Sequence, residues 1–326
     1  MSGTTPAGAD ASGAAPGATA LPASLRFIER DWLSSNQVVG VDGATAIVVD
    51  TGYAKHAALT VELLRRVLAQ AGEAAGRSVR LAGIVNTHLH SDHCGGNLAL
   101  AQAFDCPITI PAASAADVAA WDEAALTHST TGQRCARFRH AATLAPGDTL
   151  RLGELDWRVL AAPGHDPKSL LFHCEREALL ISADALWENG FGVIFPELDG
   201  QSGFDEQQSV LERIAGLPVG LVLPGHGRAF GDVRAALERA FTRLDAMRAD
   251  PRRHARHALK VLVKFLLLDL ERIEAARLAE PLRHATVMQR TAALIGMAFE
   301  AALAWAADEL VAQGQLRRDG PWLLNA

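Results

Sequence analysis

The stretch Thr87-His88-Leu89-His90-Ser91-Asp92-His93 constrains this chain more than any other. Three imidazoles and a carboxylate fall within six positions, in the order H-x-H-x-D-H. Neutral imidazoles and carboxylates are the donors that a borderline cation such as zinc takes. The preceding run Leu81–Asn86 is short and apolar, as a buried strand is. Gly95-Gly96 suit a turn into a helix over Asn97–Phe104. A tight turn after a strand aims alternate residues at one point. His88 and His90 can therefore share an ion, with Asp92 and His93 facing a neighbouring position.

The rest of such a site must come from far along the chain, at strand ends or turns. His165 in Pro163-Gly164-His165-Asp166, Asp184 after the apolar run Ala178–Ile181, and His226 in Pro224-Gly225-His226-Gly227 meet that condition. Proline and glycine flank both distal histidines, and such breakers belong to turns. The remaining histidines (His56, His128, His140, His173, His254, His257 and His284) read as structural or solvated.

The ordered set His88, His90, Asp92, His93, His165, Asp184 and His226 resembles the metallo-β-lactamase-fold hydrolase superfamily, over residues 25–240. The resemblance implies an α/β fold, a four-layer αβ/βα sandwich with metals at one edge of the paired sheets. It implies that His88, His90 and His165 hold one metal, that Asp92, His93 and His226 hold a second, and that Asp184 bridges them. Asp50, in Ile47-Val48-Val49-Asp50-Thr51-Gly52, matches the family's early strand-end aspartate, which supports the site without being a ligand. Asp92 occupies the position that also holds or relays a proton. The implied cofactors are two divalent ions, zinc first, with iron or manganese as alternatives.

The chain has 326 residues, enough for a large domain and a small one. Its net charge of −6 gives no general reason to expect nucleic acid or an anionic membrane as partner. The cysteines Cys94, Cys106, Cys135 and Cys174 are scattered without a CxxC pair and read as reduced thiols of a cytoplasmic protein. Cys94, directly after a ligand, reads as a small residue packed under the metal loop. Residues 1–24 are Ala/Gly/Ser/Thr/Pro-rich without Lys or Arg, which is the composition of a disordered tail and not of a signal peptide. No uninterrupted apolar stretch reaches membrane-spanning length.

Residues 25–250 then form the catalytic domain. Gln37–Val41 and Ala44–Val49 flank Asp42-Gly43 as a hairpin. Ala57–Gln70 has a helical stripe, and Ser169–Cys174, Ala178–Ile181 and Gly220–Leu223 read as core strands. Asp250-Pro251 marks a boundary. Residues 251–326 carry helical stretches at Arg253–Leu268, Ile273–Leu282 and Thr286–Ala312, then a hairpin around Asp319-Gly320. That order looks like a winged-helix module. Between 251 and 290 it has nine basic and four acidic residues, whereas Ala298–Val311 has no Lys or Arg. An acidic third helix would repel phosphate in a groove. The module reads as a packing element or a contact to a second copy of the chain.

Two cations can hold and activate a water that attacks a carbonyl or phosphoryl centre. The expected activity is hydrolysis of a small, partly apolar acyl compound, a thioester or lactone. The resemblance implies as alternatives a phosphodiesterase or ribonuclease, and an iron-dependent persulfide dioxygenase. Trp187, Phe191 and Phe195 are the expected pocket wall after Asp184, with Trp121 and Phe138 facing them. Lys168 is the expected anchor for a substrate carboxylate or phosphate.

Overall fold

A computed structural model describes residues 21–326. The first sheet has the order β1 (Leu25–Ile28), β2 (Gln37–Asp42), β3 (Thr45–Val49), β4 (Arg80–Val85), β5 (Ile108–Pro111) and β6 (Ala142–Leu144). The second contains β7 (Thr149–Leu152), β8 (Leu155–Ala161), β9 (Leu170–Cys174), β10 (Leu179–Ala183) and β11 (Leu221–Pro224), in the spatial order β11-β10-β9-β8-β7. β1-β2-β3 run antiparallel, and β3 to β6 are parallel neighbours.

Side-chain alternation explains the layering, because successive strand residues point to opposite faces. On β2, Val38 faces the second sheet and Val39 faces the helices. On β9, Leu170 and Phe172 face the first sheet while Leu171 faces outward. The inner layer gathers Val49, Val85, Trp157, Phe172 and Ile181 between the sheets. Helices Ala57–Ala75 and Asn97–Phe104 cover the outside of the first sheet, through Leu64, Leu68 and Leu100. Helices Phe204–Ala215 and Val233–Ala249 cover the second, through Leu211, Ile214 and Leu244. The architecture is thus the four-layer αβ/βα sandwich. Both faces of β10 are buried, which accounts for the unbroken apolar run Leu179-Leu180-Ile181.

The N-terminal boundary differs from the composition-based reading. Residues 1–20 of the expected tail lie outside the described residues. Residues 21–24 are not tail: Leu21 packs on the inner core, and the carbonyl of Ser24 accepts from Val41 N at 2.8 Å. The C-terminal part also departs from its periodicity. Ile273–Leu282 is not a helix; it holds β12 (Arg272–Glu274) and a short 3-10 turn. Thr286–Ala312 is two helices, Thr286–Leu294 and Phe299–Ala312, parted at Gly296, whose φ of +75° leaves the right-handed helical region. β13 (Leu316–Asp319) and β14 (Trp322–Asn325) complete a three-stranded sheet with β12.

This C-terminal region docks on the sandwich. Its core absorbs Val193 and Leu198 from the loop and short helix after β10. Leu33, Tyr53 and Phe265 form a separate contact, with the Tyr53 and Phe265 rings 5.0 Å apart edge to face. The buried Tyr53 hydroxyl donates to Asp269 Oδ2 at 3.0 Å, and Arg134 donates to the same carboxylate at 2.7 and 3.1 Å. Among the described residues, no helix is long and apolar enough to cross a membrane.

We expect Tyr53→Phe to cost about 1 kcal/mol, the net worth of one hydrogen bond. In a double-mutant cycle with Asp269→Ala by urea unfolding, the two losses should be non-additive. Strict additivity would show that this contact does not dock the C-terminal helices.

Candidate metal centre

Parallel pairing brings the site together. β3 and β4 run side by side, as do β10 and β11, so their carboxyl ends open on one edge of the sandwich. Open α/β sheets characteristically bind ligands at that edge. Asp50 follows β3, His88 follows β4, His165 lies in the β8–β9 turn, Asp184 follows β10 and His226 follows β11. Backbone bonds stitch the sheets here: Leu170 N donates to Thr87 O at 2.9 Å, and Asn36 N to Gly225 O at 2.7 Å. The turn at Gly225 needs a glycine, because a Cβ there would collide with Asp184 Oδ1.

Asp50 organises the loop. Its Oδ1 accepts from Thr87 N at 2.9 Å, and its Oδ2 accepts from Thr87 Oγ1 and His93 Nδ1, each at 2.8 Å. The His93 ring is thereby turned so that Nε2 faces the carboxylates of Asp184 at 3.3 Å and Asp92 at 3.8 Å. That Nε2 is buried without a hydrogen-bond partner. His165 Nδ1 donates to Val193 O at 2.5 Å, which leaves Nε2 directed inward.

Two groups of donors result. Nitrogens of His88, His90 and His165 lie together, with 3.1 Å from His88 Nε2 to His90 Nδ1 and 2.7 Å from His90 Nδ1 to His165 Nε2. Asp92, His93, Asp184 and His226 form the second group, with His226 Nε2 3.0 Å from Asp92 Oδ2. Asp184 lies between the groups, its Oδ2 3.4 Å from His165 Nε2. Burial and mutual repulsion hold the His90 and His165 imidazoles down to about 4 and His88 well below its ordinary value. They are therefore neutral at physiological pH, the form that offers a lone pair to a cation. Burial alone would raise Asp92, but His93 and the His226 hydrogen bond outweigh it and bring it to about 2. Asp184 is likewise lowered despite burial, chiefly by His93 and His226. Three facing imidazole nitrogens cannot all share protons, and the orphaned His93 Nε2 faces two carboxylates. This donor chemistry fits two divalent cations.

A cleft of about 720 Å³ opens above these donors. Trp187 and Phe195 line it, and the Phe195 ring lies 5.0 Å from His90. Other expected pocket residues lie elsewhere. Phe191 is fully buried in the outer core under the Arg243 guanidinium. Lys168 is ion-paired with Asp117 and does not line the cleft. Trp121 and Phe138 pack edge to face in the core outside the first sheet, not opposite Trp187. Cys94 is buried beneath the loop, its Sγ donating to Leu89 O at 3.3 Å and standing apart from both donor groups.

Several wall residues escaped the sequence reading. Trp32 stacks on the His226 ring, with centroids 5.4 Å apart and planes 9° from parallel. Its signal was an aromatic inside the polar run Glu29-Arg30-Asp31-Trp32, where no core strand or helix wants one. Gln133 reaches the metal loop through Ser91 Oγ at 2.5 Å. Val261, Phe265 and Leu268 close the cleft from the C-terminal helix Pro251–Leu270.

The model of the metallo-beta-lactamase superfamily matches residues 30–226. This chain belongs to that superfamily. It is 30% identical over 142 residues to the hydroxyacylglutathione hydrolase of Methylococcus capsulatus, covering 44% of this chain and 46% of that one. With the hydroxyacylglutathione hydrolase of Rhizobium johnstonii it shares 29% over 187 residues, covering 54% and 64%. The chain thus spans about half the length of the curated relatives it matches. A solved metallo-beta-lactamase family protein from Thermus thermophilus superposes with a TM-score of 0.54 at 20% identity, covering 94% of this chain and all of that one.

Asp50→Asn keeps the side-chain size and tolerates the residue's φ of +61°, but no longer holds His93 as a carboxylate does. We expect it to weaken metal binding about 10–100-fold, as loss of a partner behind a ligand does. Chelator competition with metal analysis measures this, and circular dichroism checks the fold. Undiminished metal affinity would remove Asp50 from its supporting role.

Proposed function

We propose that this chain is a dinuclear metal-dependent hydrolase of small acyl thioesters. The observation that carries the reading is the pair of adjacent donor groups, with Asp184 between them, at the floor of a mainly apolar cleft. His88, His90 and His165 would hold one ion. Asp92, His93 and His226 would hold the other, and Asp184 both. Bound there, divalent ions would supply a water activated at neutral pH and Lewis-acid polarisation of a substrate carbonyl. Zinc is the ion we favour, because nitrogen donors outnumber carboxylates.

The protein's own groups do the rest. Asp92, lowered to about 2, stays a carboxylate and can accept a hydrogen bond that orients a water at the cleft floor. Trp187 Nε1 donates to Asp184 Oδ1 at 3.3 Å and steadies that carboxylate. Phe195 and Val193 form an apolar wall beside His90 and His165, suited to an acyl group. Trp32 and Trp187 flank His226 and leave the cleft mouth open to the carrier thiol. The relatives named for hydroxyacylglutathione hydrolysis support the choice of a thioester over a lactone. The second donor group argues against a single-iron dioxygenase.

In the C-terminal region the order helix, strand, two helices, two strands supports the winged-helix reading. It serves here as a cleft wall. Four unpaired cysteines support a reducing, cytoplasmic setting.

The test is turnover of a panel of thioesters, lactones and phosphodiesters by metal-analysed protein, without oxygen. We expect thioester hydrolysis that a chelator abolishes and zinc restores. Oxygen uptake matched to loss of a persulfide, or cleavage of phosphodiesters alone, would sink the proposal. Phe195→Ala should raise KM for a branched or aromatic acyl thioester about tenfold, as removal of an apolar pocket contact worth about 1–3 kcal/mol does.

A further inference from the structure

Beyond the cleft lies a second, larger groove of about 1180 Å³, between helices Val233–Ala249, Pro251–Leu270 and Phe299–Ala312. It adjoins the catalytic cleft: Arg243, His257 and Lys260 line both. Its residues lie beyond position 226, where the family match ends.

The groove is rich in cations that lack anions. Among the described residues, none of Arg239, Arg243, Arg253, Arg256 and Lys260 has a carboxylate within ion-pair distance. Arg243 is the most telling. Its guanidinium is half-buried, its Nε has no partner, and it donates from Nη2 to His257 Nε2 at 2.7 Å. Burial pushes the His257 imidazole down to about 3, with Arg243 adding to the effect, so it meets Arg243 as a neutral group. Burial and then the neighbouring Arg253 lower Arg243 itself. A cation partly withdrawn from water without a counter-ion is unfavourable, and an arriving anion reduces that cost. Three acids also line the groove: Glu238, Asp250 and Glu309. Glu238 is near Arg234 at 3.5 Å, and Asp250 caps the next helix through Arg252 N at 3.1 Å. Positive charge remains in excess, on a chain whose net charge is −6.

Resting on the thioester reading, we propose that this groove is a phosphate-binding subsite for the far end of the carrier thiol. The substrate would then be an acyl group carried on a phosphorylated nucleotide thiol, with the thioester at the metal-site floor and the phosphates among the arginines. Guanidinium forks match phosphate geometry, and several together suit a polyanion better than one carboxylate. The shared rim of Arg243 and Lys260 gives the carrier a continuous path between the two spaces.

The experiment uses the metal-loaded full chain with one acyl group on three carriers: coenzyme A, phosphate-free pantetheine and glutathione. We expect KM for the coenzyme A thioester to be at least tenfold below that for the pantetheine thioester, and to rise with salt. In R253A/R256A, which alters two exposed side chains, the ratio of these KM values should collapse toward one. Calorimetry with coenzyme A itself should show binding to the wild type that R253A/R256A loses. Equal KM values, a preference for glutathione, or a coenzyme A preference that survives R253A/R256A would overturn the subsite. So would a single-stranded RNA that binds this groove, is cleaved, and is not displaced by coenzyme A. Arginine-dependent coenzyme A binding with no turnover of any thioester would uphold the subsite and sink the hydrolase reading instead.

Discussion

The buried carboxylate of Asp50 is the fixed point of this structure. It sits at the end of β3 with a left-handed backbone and takes hydrogen bonds from Thr87 N, Thr87 Oγ1 and His93 Nδ1. A buried carboxylate without such donors would be strongly destabilising, so the partners and the charge hold one another in place. One side chain therefore ties the strand that delivers His88 to the turn that delivers His93. The imidazole orientations follow from that tie, and the sheet edge is closed further by Leu170 to Thr87 and Asn36 to Gly225. Strand ends from both sheets thus share the hydrogen bonds of the histidine-rich loop.

Charge at the site is arranged by burial as much as by residue type. His88, His90 and His165 are kept neutral where water is excluded, whereas His93 is raised well above its ordinary value, despite burial, by Asp184, Asp50 and Asp92. The neutral trio and the carboxylate-rich group are separated by one side chain, Asp184. Each group thus offers a different field to whatever cation it holds.

The C-terminal helices turn an open sheet edge into a cleft. Phe265 packs on Tyr53 and Leu33, and Asp269 receives both Tyr53 and Arg134. His254 accepts from Ile194 N at 3.1 Å, which pins the loop that also holds His165 through Val193 O. Docking of this region and shaping of the metal site are therefore one structural problem. Arg134 is largely exposed, so water screens its share of the contact, and the buried Tyr53 hydroxyl and Phe265 ring carry more of it.

The imidazoles and carboxylates that the fold gathers into two groups were legible from the chain alone, because their types and order are restrictive and glycine or proline marks the turns that present His165 and His226. The core strands were legible too, since strands buried on both faces read as unbroken apolar runs such as Leu179-Leu180-Ile181, whereas the sandwich they build was implied by the resemblance to the superfamily. Local composition could not say which side chains meet across the fold. Lys168 was expected to anchor substrate yet pairs with Asp117, Phe191 was expected in a wall yet lies in the core, and Trp32, passed over in the sequence, stacks on His226 while staying largely exposed. Helical periodicity over Ile273–Leu282 and Thr286–Ala312 was overridden by pairing of β12 with β14 and by the break at Gly296. Those outcomes depend on contacts between residues as far apart as Tyr53 and Asp269, and only the tertiary structure decides such contacts.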